Sequence, residues 1–522
     1  MLSGLIHFLR LARAGFVLAR EGVFALVDPQ VLSPGPRLLV RCARLIERKN
    51  AGSGAARLAI ALTRLGPSYV KLGQFLATRP DVVGAAIAKD LETLQDRMAP
   101  FSQTEAEVAI GEGLGKPVSV LFANFGPAVA AASIAQVHRA QTIDNGGGDH
   151  SVAVKVLRPG IEHRFQRDLD AFFFVARLVE RHSAQGQRLR LISTVDTLAR
   201  SVAIEMDLRL EAAAFSELAD NTKGDNDFRV PAVDWERTAR RVLTIEWVEG
   251  ISLSDRAKLA ASGHDPVRLA RILVQSFLRQ ALRDGFFHAD LHPGNLFVDA
   301  KGNLVAVDCG IMGRLGPKER RFLAEILYGF ITANWQRTAE VHFEAGYVPT
   351  HHSVEDFAQA IRAIGEPIRD RPADEISMAK LLTLLFEVTA IFDMRTRPEL
   401  LLLQKTMVVV EGVARSLDPK FDMWASAEPV VREWIDRNLG PIGRIEEAAH
   451  EIGGLGRLIG SAPSLLSRAA GTFERLDEQT RDGLVLSPRT VEAIGRAGSR
   501  RWRWATLALW VIAGLIAVWI FR

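Results

Sequence analysis

Residues 286–310, FFHADLHPGNLFVDAKGNLVAVDCG, constrain this chain more than any other stretch. Two apolar runs, Asn295–Val298 and Leu304–Val307, flank a turn containing Lys301, Gly302 and Asn303. Such runs around a Gly/Asn turn predict a β-hairpin. Polar residues crowd its open end: His288, Asp290, His292 and Asn295 before the first run, Asp308 after the second. The hairpin therefore gathers two carboxylates and an amide in one place. Hard oxygen donors of that kind suit Mg2+. With an Asp to sit beside the attacking nucleophile, the hairpin end has the layout of a phosphoryl-transfer site. Taken alone, the same residues also read as caps on a polar hairpin, so the decision rests on what else the chain carries.

A nucleotide-handling half would have to come from upstream. Val118–Phe125 is a strand candidate. Ala128–Ala132, including Ala130, Ala131 and Ala132, then Ser133, Ile134, Ala135, Gln136, Val137 and His138, form a small-residue loop running into a strand. A polar, glycine-rich turn leads to Val152–Val156, a strand carrying Lys155. This succession is the plan of a kinase N-lobe. There the loop's backbone N–H groups cradle phosphates and the lysine holds the α/β-phosphates. Alanine has a Cβ and resists φ > 0, so this cradle should be stiffer than a glycine one. Residues 161–218 read as helical, and Ile192–Leu218 carries Glu205, Asp207 and Glu211. Lys155 needs a helix glutamate, and Glu205 and Glu211 both qualify. Arg229–Val233 and Arg241–Trp247 predict strands, with backbone at Glu246 and Val248 placed to meet adenine as a hinge. Pro266–Gly285 predicts a long amphipathic helix leading to Phe286. Kinase catalytic loops place an Asn five positions after the catalytic Asp, as Asn295 follows Asp290, and a metal-binding Asp further on, as Asp308 here. Helix resumes near Lys318, with no room for a long activation loop and no Ala-Pro-Glu motif, which argues against a protein substrate.

Ahead of this region, residues 62–100 keep a helical period through Leu72, Phe75, Leu76, Ile87, Leu91 and Leu94. Lys71, Gly73 and Gln74 interrupt it, and Gly inside a helix costs about 1 kcal/mol relative to Ala. Such a glycine marks the close approach of another backbone. Near the N-terminus, Leu5, Phe8, Leu9, Ala12, Phe16 and Ala19 fall at helical spacing, while Arg10, Arg13 and Arg20 break any secretory apolar core. A basic amphipathic helix of this kind suits a membrane surface or packing on the body of the protein. Trp504–Phe521 is eighteen uncharged residues, long enough to span a bilayer, with Trp504 and Trp519 near its ends. Arg496, Arg500, Arg501 and Arg503 precede it and only Arg522 follows, which puts the preceding domains on the cytoplasmic side. The 65 basic and 61 acidic residues are interspersed, so nucleic acid is not indicated. Two cysteines, Cys42 and Cys309, fit a reducing compartment, with Cys309 read as a small buried residue.

Together these residues resemble the UbiB family of atypical kinase-like proteins, also called the ABC1 or ADCK family. The carrying motifs are Lys71-Leu72-Gly73-Gln74, Ala131–His138, Val152–Lys155 followed by Arg158-Pro159-Gly160, Glu205-Met206-Asp207 with Glu211, His288–Asn295 and Asp308-Cys309-Gly310. They run in order over roughly residues 60–420. The resemblance implies an α+β, protein-kinase-like bilobal fold with an N-terminal helical extension, a helix-rich C-lobe and a C-terminal transmembrane helix. The expected divisions are residues 1–116 for the extension, 117–250 and 251–440 for the lobes, 441–503 for a helical linker and 504–521 for the span. Bacterial members commonly end in two spans, whereas this sequence carries one. The resemblance further implies that Lys71 and Gln74 point into the nucleotide pocket, and that Gly73 lets its helix press on the N-lobe. It implies ATP and Mg2+ as cofactors, Lys155 and Asp290 as catalytic groups, and Asn295 and Asp308 on the metal. It implies a role in ubiquinone biosynthesis at the bacterial inner membrane, with membrane lipids, isoprenoid quinone precursors and other ubiquinone biosynthesis enzymes as partners. The alternatives are a nucleotide-switched lipid-binding chaperone and a small-molecule or lipid kinase. An older description of such proteins as hydroxylases finds no flavin fingerprint and no metal–oxygen ligand set here.

Overall fold

The computed structural model of the chain describes residues 2–26, 34–48, 54–77, 79–92, 94, 98–143, 150–182, 184–367, 387–389, 391–394 and 398–440. The expected linker 441–503 and span 504–521 lie outside them. Among the described residues, no helix is long and apolar enough to cross a membrane.

The chain opens with helices α1 (Leu2–Arg20), α2 (Pro34–Leu45), α3 (Gly54–Leu65), α4 (Pro67–Ala77), α5 (Pro80–Val83) and α6 (Ala85–Glu92). The outward face of α1 differs from the spacing-based expectation. Ala14 and Ala19 are buried, while Ala12, Arg13, Phe16 and Arg20 are exposed. Leu62, Val70, Leu91 and Leu94 form a small core of this helical layer. Gly73 of α4 sits inside it. A Cβ on Gly73 would lie 2.7 Å from Leu62 Cδ1 and 3.0 Å from Leu94 Cδ2. The close approach at Gly73 is therefore of leucine side chains from α3, α6 and the residues after α6, and not of another backbone or of the N-lobe. Gly73→Ala should destabilise the protein by about 1–3 kcal/mol through overpacking, with Gly73→Leu worse. A Gly73→Ala melting temperature equal to the wild type would contradict this packing.

The first lobe is built on an antiparallel sheet, β1 (Phe122–Ala131), β2 (Ala135–Thr142), β3 (Ser151–Leu157) and a later strand β5 (Val242–Glu246), in the order β1-β2-β3-β5. The strand expected over Val118–Phe125 begins later, because Val118–Leu121 makes one helical turn, α8. Alanines 128–131, expected in a loop, continue β1 against β2 through register shifts. Helix α7 (Gln103–Leu114) starts with a Ser102/Glu105 capping box. It buries Ala109 and Ile110 against Phe122, Ala140, Val152, Val154, Val156 and Val242 on one face of the sheet. Successive strand residues alternate faces, so Ala135, Val137, Ala153 and Lys155 turn to the other side. Between β3 and β5 come α9 (Ile161–His182), α10 (Ala184–Leu189), α11 (Leu191–Glu205), α12 (Leu208–Thr222) and the short strand β4 (Phe228–Arg229).

The strand expected over Arg229–Val233 reduces to β4, which joins a second sheet, parallel to β9 (Leu304–Ala306). That sheet runs β4-β9-β8-β6, with β6 at Ile251–Ser252 and β8 at Leu296–Val298. The predicted hairpin is present: β8 pairs antiparallel with β9, Phe297 opposite Val305. Helix α13 (Arg256–Ala261) precedes α14 (Pro266–Leu278), which Asp265 caps. A π-helical turn, Arg279–Asp284, and left-handed Gly285 follow. The chain then enters β7 (Phe286–His288), which pairs with β10 (Met312–Arg314). Beyond are α15 (Pro317–Ile331), α16 (Trp335–Glu344), α17 (Val354–Gly365), α18 (Pro398–Leu417) and α19 (Met423–Asn438). The main core joins α12, α14, the hairpin and α18 through Phe215, Leu273, Phe277, Phe287, Leu296 and Val410.

Candidate phosphoryl-transfer site

Lys155 is placed by sheet register. It lies opposite Val137 of β2 and Leu243 of β5, on the face away from α7. Its ammonium donates to both carboxylate oxygens of Glu211, at 2.8 and 3.0 Å, and to Asp308 Oδ1 at 2.9 Å. Of the two candidate glutamates, Glu211 is thus the partner of Lys155. Glu205, at the end of α11, pairs instead with Lys71 of α4, at 2.6 Å. Gln74, also on α4, is half-buried.

The three charges tune one another. Burial alone would lower Lys155, but Asp308 and Glu211 hold it well above its ordinary value. Burial pushes Glu211 up to about 7, against the pull of Lys155. Lys155 keeps Asp308 well below the usual carboxylate range. Asp308 has φ +65, a left-handed conformation that few non-glycine residues adopt. Such a backbone persists where the surroundings over-determine it, and the bond to Lys155 is one of those constraints.

The second group of residues stands at the same open end of the hairpin, on the strand that enters it. Asn295 donates its Nδ2 to the Asp290 backbone oxygen at 3.0 Å and to Asp290 Oδ2 at 3.4 Å. Its own backbone oxygen accepts from Val307, the residue before Asp308, at 2.8 Å. His288 is fully buried beneath this loop. Its Nδ1 accepts from the Asp290 N–H at 3.1 Å and its Nε2 lies 3.3 Å from the Val307 oxygen. Those partners require the neutral, Nε2-protonated ring, and burial holds its pKa below the ordinary value. His292 caps the turn that follows by accepting from the Gly294 N–H at 3.0 Å.

Several residues singled out in the sequence make structural contacts with their side chains or backbone. Gln136 and His138 face α7: Gln136 bonds both backbone groups of Phe101, and His138 Nδ1 reaches the Gly126 oxygen at 2.8 Å. Strand alternation thus divides the Ala130–His138 stretch, and only Ala135 and Val137 of its β2 residues share the face of Lys155. Asp207 caps α12 through the Arg209 N–H and pairs with the Arg209 side chain at 2.6 Å. At the expected hinge, the Glu246 N–H bonds the Ala232 oxygen at 2.8 Å, and its side chain pairs with Arg229 at 3.0 Å. Val248 lies in the irregular segment between β5 and β6. Cys309 is buried, and burial pushes its thiol up.

Two contributors were missed. Arg158 braces the alanine-rich turn: its N–H bonds the Ile134 oxygen at 2.8 Å and its guanidinium the Ala132 and Ala99 oxygens, at 2.8 and 2.9 Å. Its motif was visible, but its target was not. Thr406 of α18, fully buried, shares its one hydroxyl proton between the Leu402 oxygen one turn back, at 2.8 Å, and the Ala289 oxygen at 3.1 Å. The Ala289 N–H meanwhile bonds Ile311, just past Asp308, at 3.0 Å. Both backbone groups of the residue before Asp290 are therefore clamped. A lone threonine on an apolar helix gives no sequence signal. Thr406→Val keeps the shape and strands the Ala289 carbonyl, which should cost about 1–3 kcal/mol. Thr406→Ser, which keeps the hydroxyl, should restore the stability. A Thr406→Val melting curve equal to the wild type would remove Thr406 from the clamp on Ala289.

The arrangement offers a cation anchor for phosphates (Lys155), hard oxygen ligands (Asn295 and Asp308) and an accessible carboxylate beside them (Asp290). A separate groove of about 550 Å3, lined by Arg268, Arg271, Gln275 and Ser426 among others, contains none of these residues.

The sequence matches two family descriptions, the ABC1 atypical kinase-like domain over residues 93–342 and the UbiB helical domain over residues 361–422. A Marinobacter nauticus protein named "Probable protein kinase UbiB" is 37% identical over 514 residues, covering 95% of this chain and 88% of the relative. A Xanthomonas euvesicatoria protein of the same name is 40% identical over 445 residues, covering 83% and 79%. One from Azotobacter vinelandii is 38% identical over 418 residues, covering 78% and 77%. A solved Mycobacterium tuberculosis protein in complex with erythromycin overlaps at a TM-score of 0.48 with 24% identity, covering 69% of this chain and 90% of that one, too loosely to carry a functional inference.

Proposed function

The chain belongs to the UbiB (ABC1) family of atypical kinase-like proteins, and from that premise we propose an ATP-dependent ATPase or kinase that supports ubiquinone biosynthesis at the polyprenylphenol modification steps. The observation that carries this reading is the Lys155–Glu211–Asp308 cluster, joined through Val307 and Asn295 to Asp290. It has the parts that phosphoryl transfer requires: a phosphate-holding lysine fixed by a helix glutamate, metal ligands, and a base.

The residues fit Mg2+. Asn295 spends its Nδ2 on Asp290, which leaves its Oδ1 for a cation, and the Asp308 side chain is half exposed yet kept ionised by Lys155. Mg2+ there would neutralise charge on the phosphates. Lys155 would hold the α/β-phosphates of ATP, with Ala135, Val137 and Ala153 sharing its face of the sheet. Asp290 would orient the attacking hydroxyl or water and accept its proton. Helix α15 starts at Pro317, close behind Asp308, which supports water or a small acceptor over a protein one. Membrane attachment is supported by the uncharged stretch 504–521 and by the outward α1 face of Ala12, Arg13, Phe16 and Arg20.

The test is a quinone profile of a strain whose own copy carries Asp290→Asn. Ubiquinone should fall and a polyprenylphenol precursor should accumulate. Unchanged ubiquinone with no precursor would sink the proposal. An Asp308 variant that loses turnover yet still supports quinone synthesis would shift the reading to a nucleotide-switched chaperone.

A further inference from the structure

His351 and His352 lie in the loop between α16 and α17, and Asp393 lies in the chain ahead of α18. Among the described residues, these form the group of three His, Cys, Asp or Glu side chains whose ligand atoms all fall within 4.8 Å of one another. His351 Nε2 is 3.7 Å and His352 Nε2 3.4 Å from the same oxygen, Asp393 Oδ2. We propose that His351, His352 and Asp393 bind a borderline divalent transition metal, zinc by preference, which staples the α16–α17 loop to the segment before α18.

The spacing is that of metal ligands. Bonds of 2.0–2.1 Å in a tetrahedral site set ligand atoms about 3.3 Å apart. The two His–Asp separations, 3.4 and 3.7 Å, are already close to that edge, and small side-chain turns would close the site. Two imidazoles and one carboxylate select zinc, cobalt or nickel over Mg2+ or Ca2+, which prefer oxygen. The arrangement is held from below. The two imidazole rings lie 4.1 Å apart, and the His352 ring packs 5.2 Å from Phe392. Phe392 in turn meets Phe357 at 4.9 Å within the core formed with Trp335 and Ile361. Backbone bonds from Phe392 to Val388 and from Met394 to Thr389 fix the peptide on each side of Asp393. The His351 and Asp393 side chains are exposed, so a fourth position opens to water, as three-ligand zinc sites require. A metal here would cross-link two segments that are far apart in sequence.

The test is calorimetric titration of Zn2+ into the chelator-treated full chain, with Mg2+ in excess so that hard oxygen sites do not compete. Co2+ provides an independent spectrum. We expect one equivalent of Zn2+, an intense tetrahedral Co2+ visible spectrum, and a zinc-dependent rise in melting temperature. Second-layer changes around bound metals weaken them about 10–100-fold, so His351→Gln, His352→Gln or Asp393→Asn should each weaken zinc by at least about 100-fold. Mg2+–ATP affinity should be unaffected in all three variants. Absence of zinc binding under excess Mg2+, or binding that all three variants leave unchanged, would overturn the site. The wild-type Co2+ spectrum decides without any variant, should one fold poorly.

Discussion

Asp290→Asn should lower ATP turnover by about 100- to 10,000-fold, the range by which a positioned general base accelerates proton transfer. The substitution is nearly isosteric. The Asp290 side chain is 42% exposed. Its backbone remains fixed by Asn295 and by the His288 ring, neither of which needs the carboxylate charge. The stability change should therefore stay within about 0.5 kcal/mol, as for surface substitutions. Nucleotide affinity should hold as well, because Lys155, Glu211 and Asp308 are untouched. A loss of rate with intact ATP binding and an intact melting curve is the expected signature. A variant that turns over ATP at the wild-type rate would remove Asp290 from the chemistry. One that unfolds would show that its role is structural.

Lys155→Met should damage binding and stability together. It leaves Glu211, buried, facing Asp308 with no cation between them. Breaking a buried pair by removing one partner costs about 3–5 kcal/mol. The half exposure of Asp308 argues for the lower end, about 3 kcal/mol. Nucleotide affinity should fall by 100-fold or more, since the phosphate anchor is gone. The double change Lys155→Met with Glu211→Leu should recover most of the stability and none of the affinity. A double variant no more stable than Lys155→Met would mean that the stranded Glu211 carboxyl is not what destabilises it. The same group gives a pH signature. Glu211 rises from an ordinary 4.5 to about 7 on folding. The folded state thus holds a proton that the unfolded chain gives up between those values. The stability from that proton is complete below pH 4.5 and is lost as pH climbs to 7. One group contributes a slope of at most about 1.4 kcal/mol per pH unit. Denaturation midpoints across this window should lose that slope in Glu211→Gln, and an unaltered slope would assign it to other groups.

Much of the site is local, which is why the sequence exposed it. Asp290, Asn295 and Asp308 lie on one hairpin and its flanks, so their spacing alone brings them together once the turn at Gly302 forms. Lys155 announced itself as a lysine inside an apolar strand, and α14 as a long amphipathic run from Pro266. What the sequence left open involves long separations. Glu205 and Glu211 sit on consecutive helices, and only the packing of α12 against the sheet and of α4 against α11 assigned one to Lys155 and the other to Lys71. The side chains of Gln136 and His138 turn toward α7, a facing that only the pairing of Val137 with Lys155 fixes. Gly73 signalled close packing, but its partner, Leu62 of a neighbouring helix, depends on how the helical layer assembles. Thr406 gave no signal, because a hydroxyl at one point of an apolar helix becomes meaningful only when the Ala289 carbonyl arrives beside it. By itself, then, the sequence determined the residues within one turn or one strand of each other, since backbone geometry fixes such neighbours. The tertiary structure decided which charge meets which across the cleft, because that follows from side-chain packing between elements that no periodicity connects.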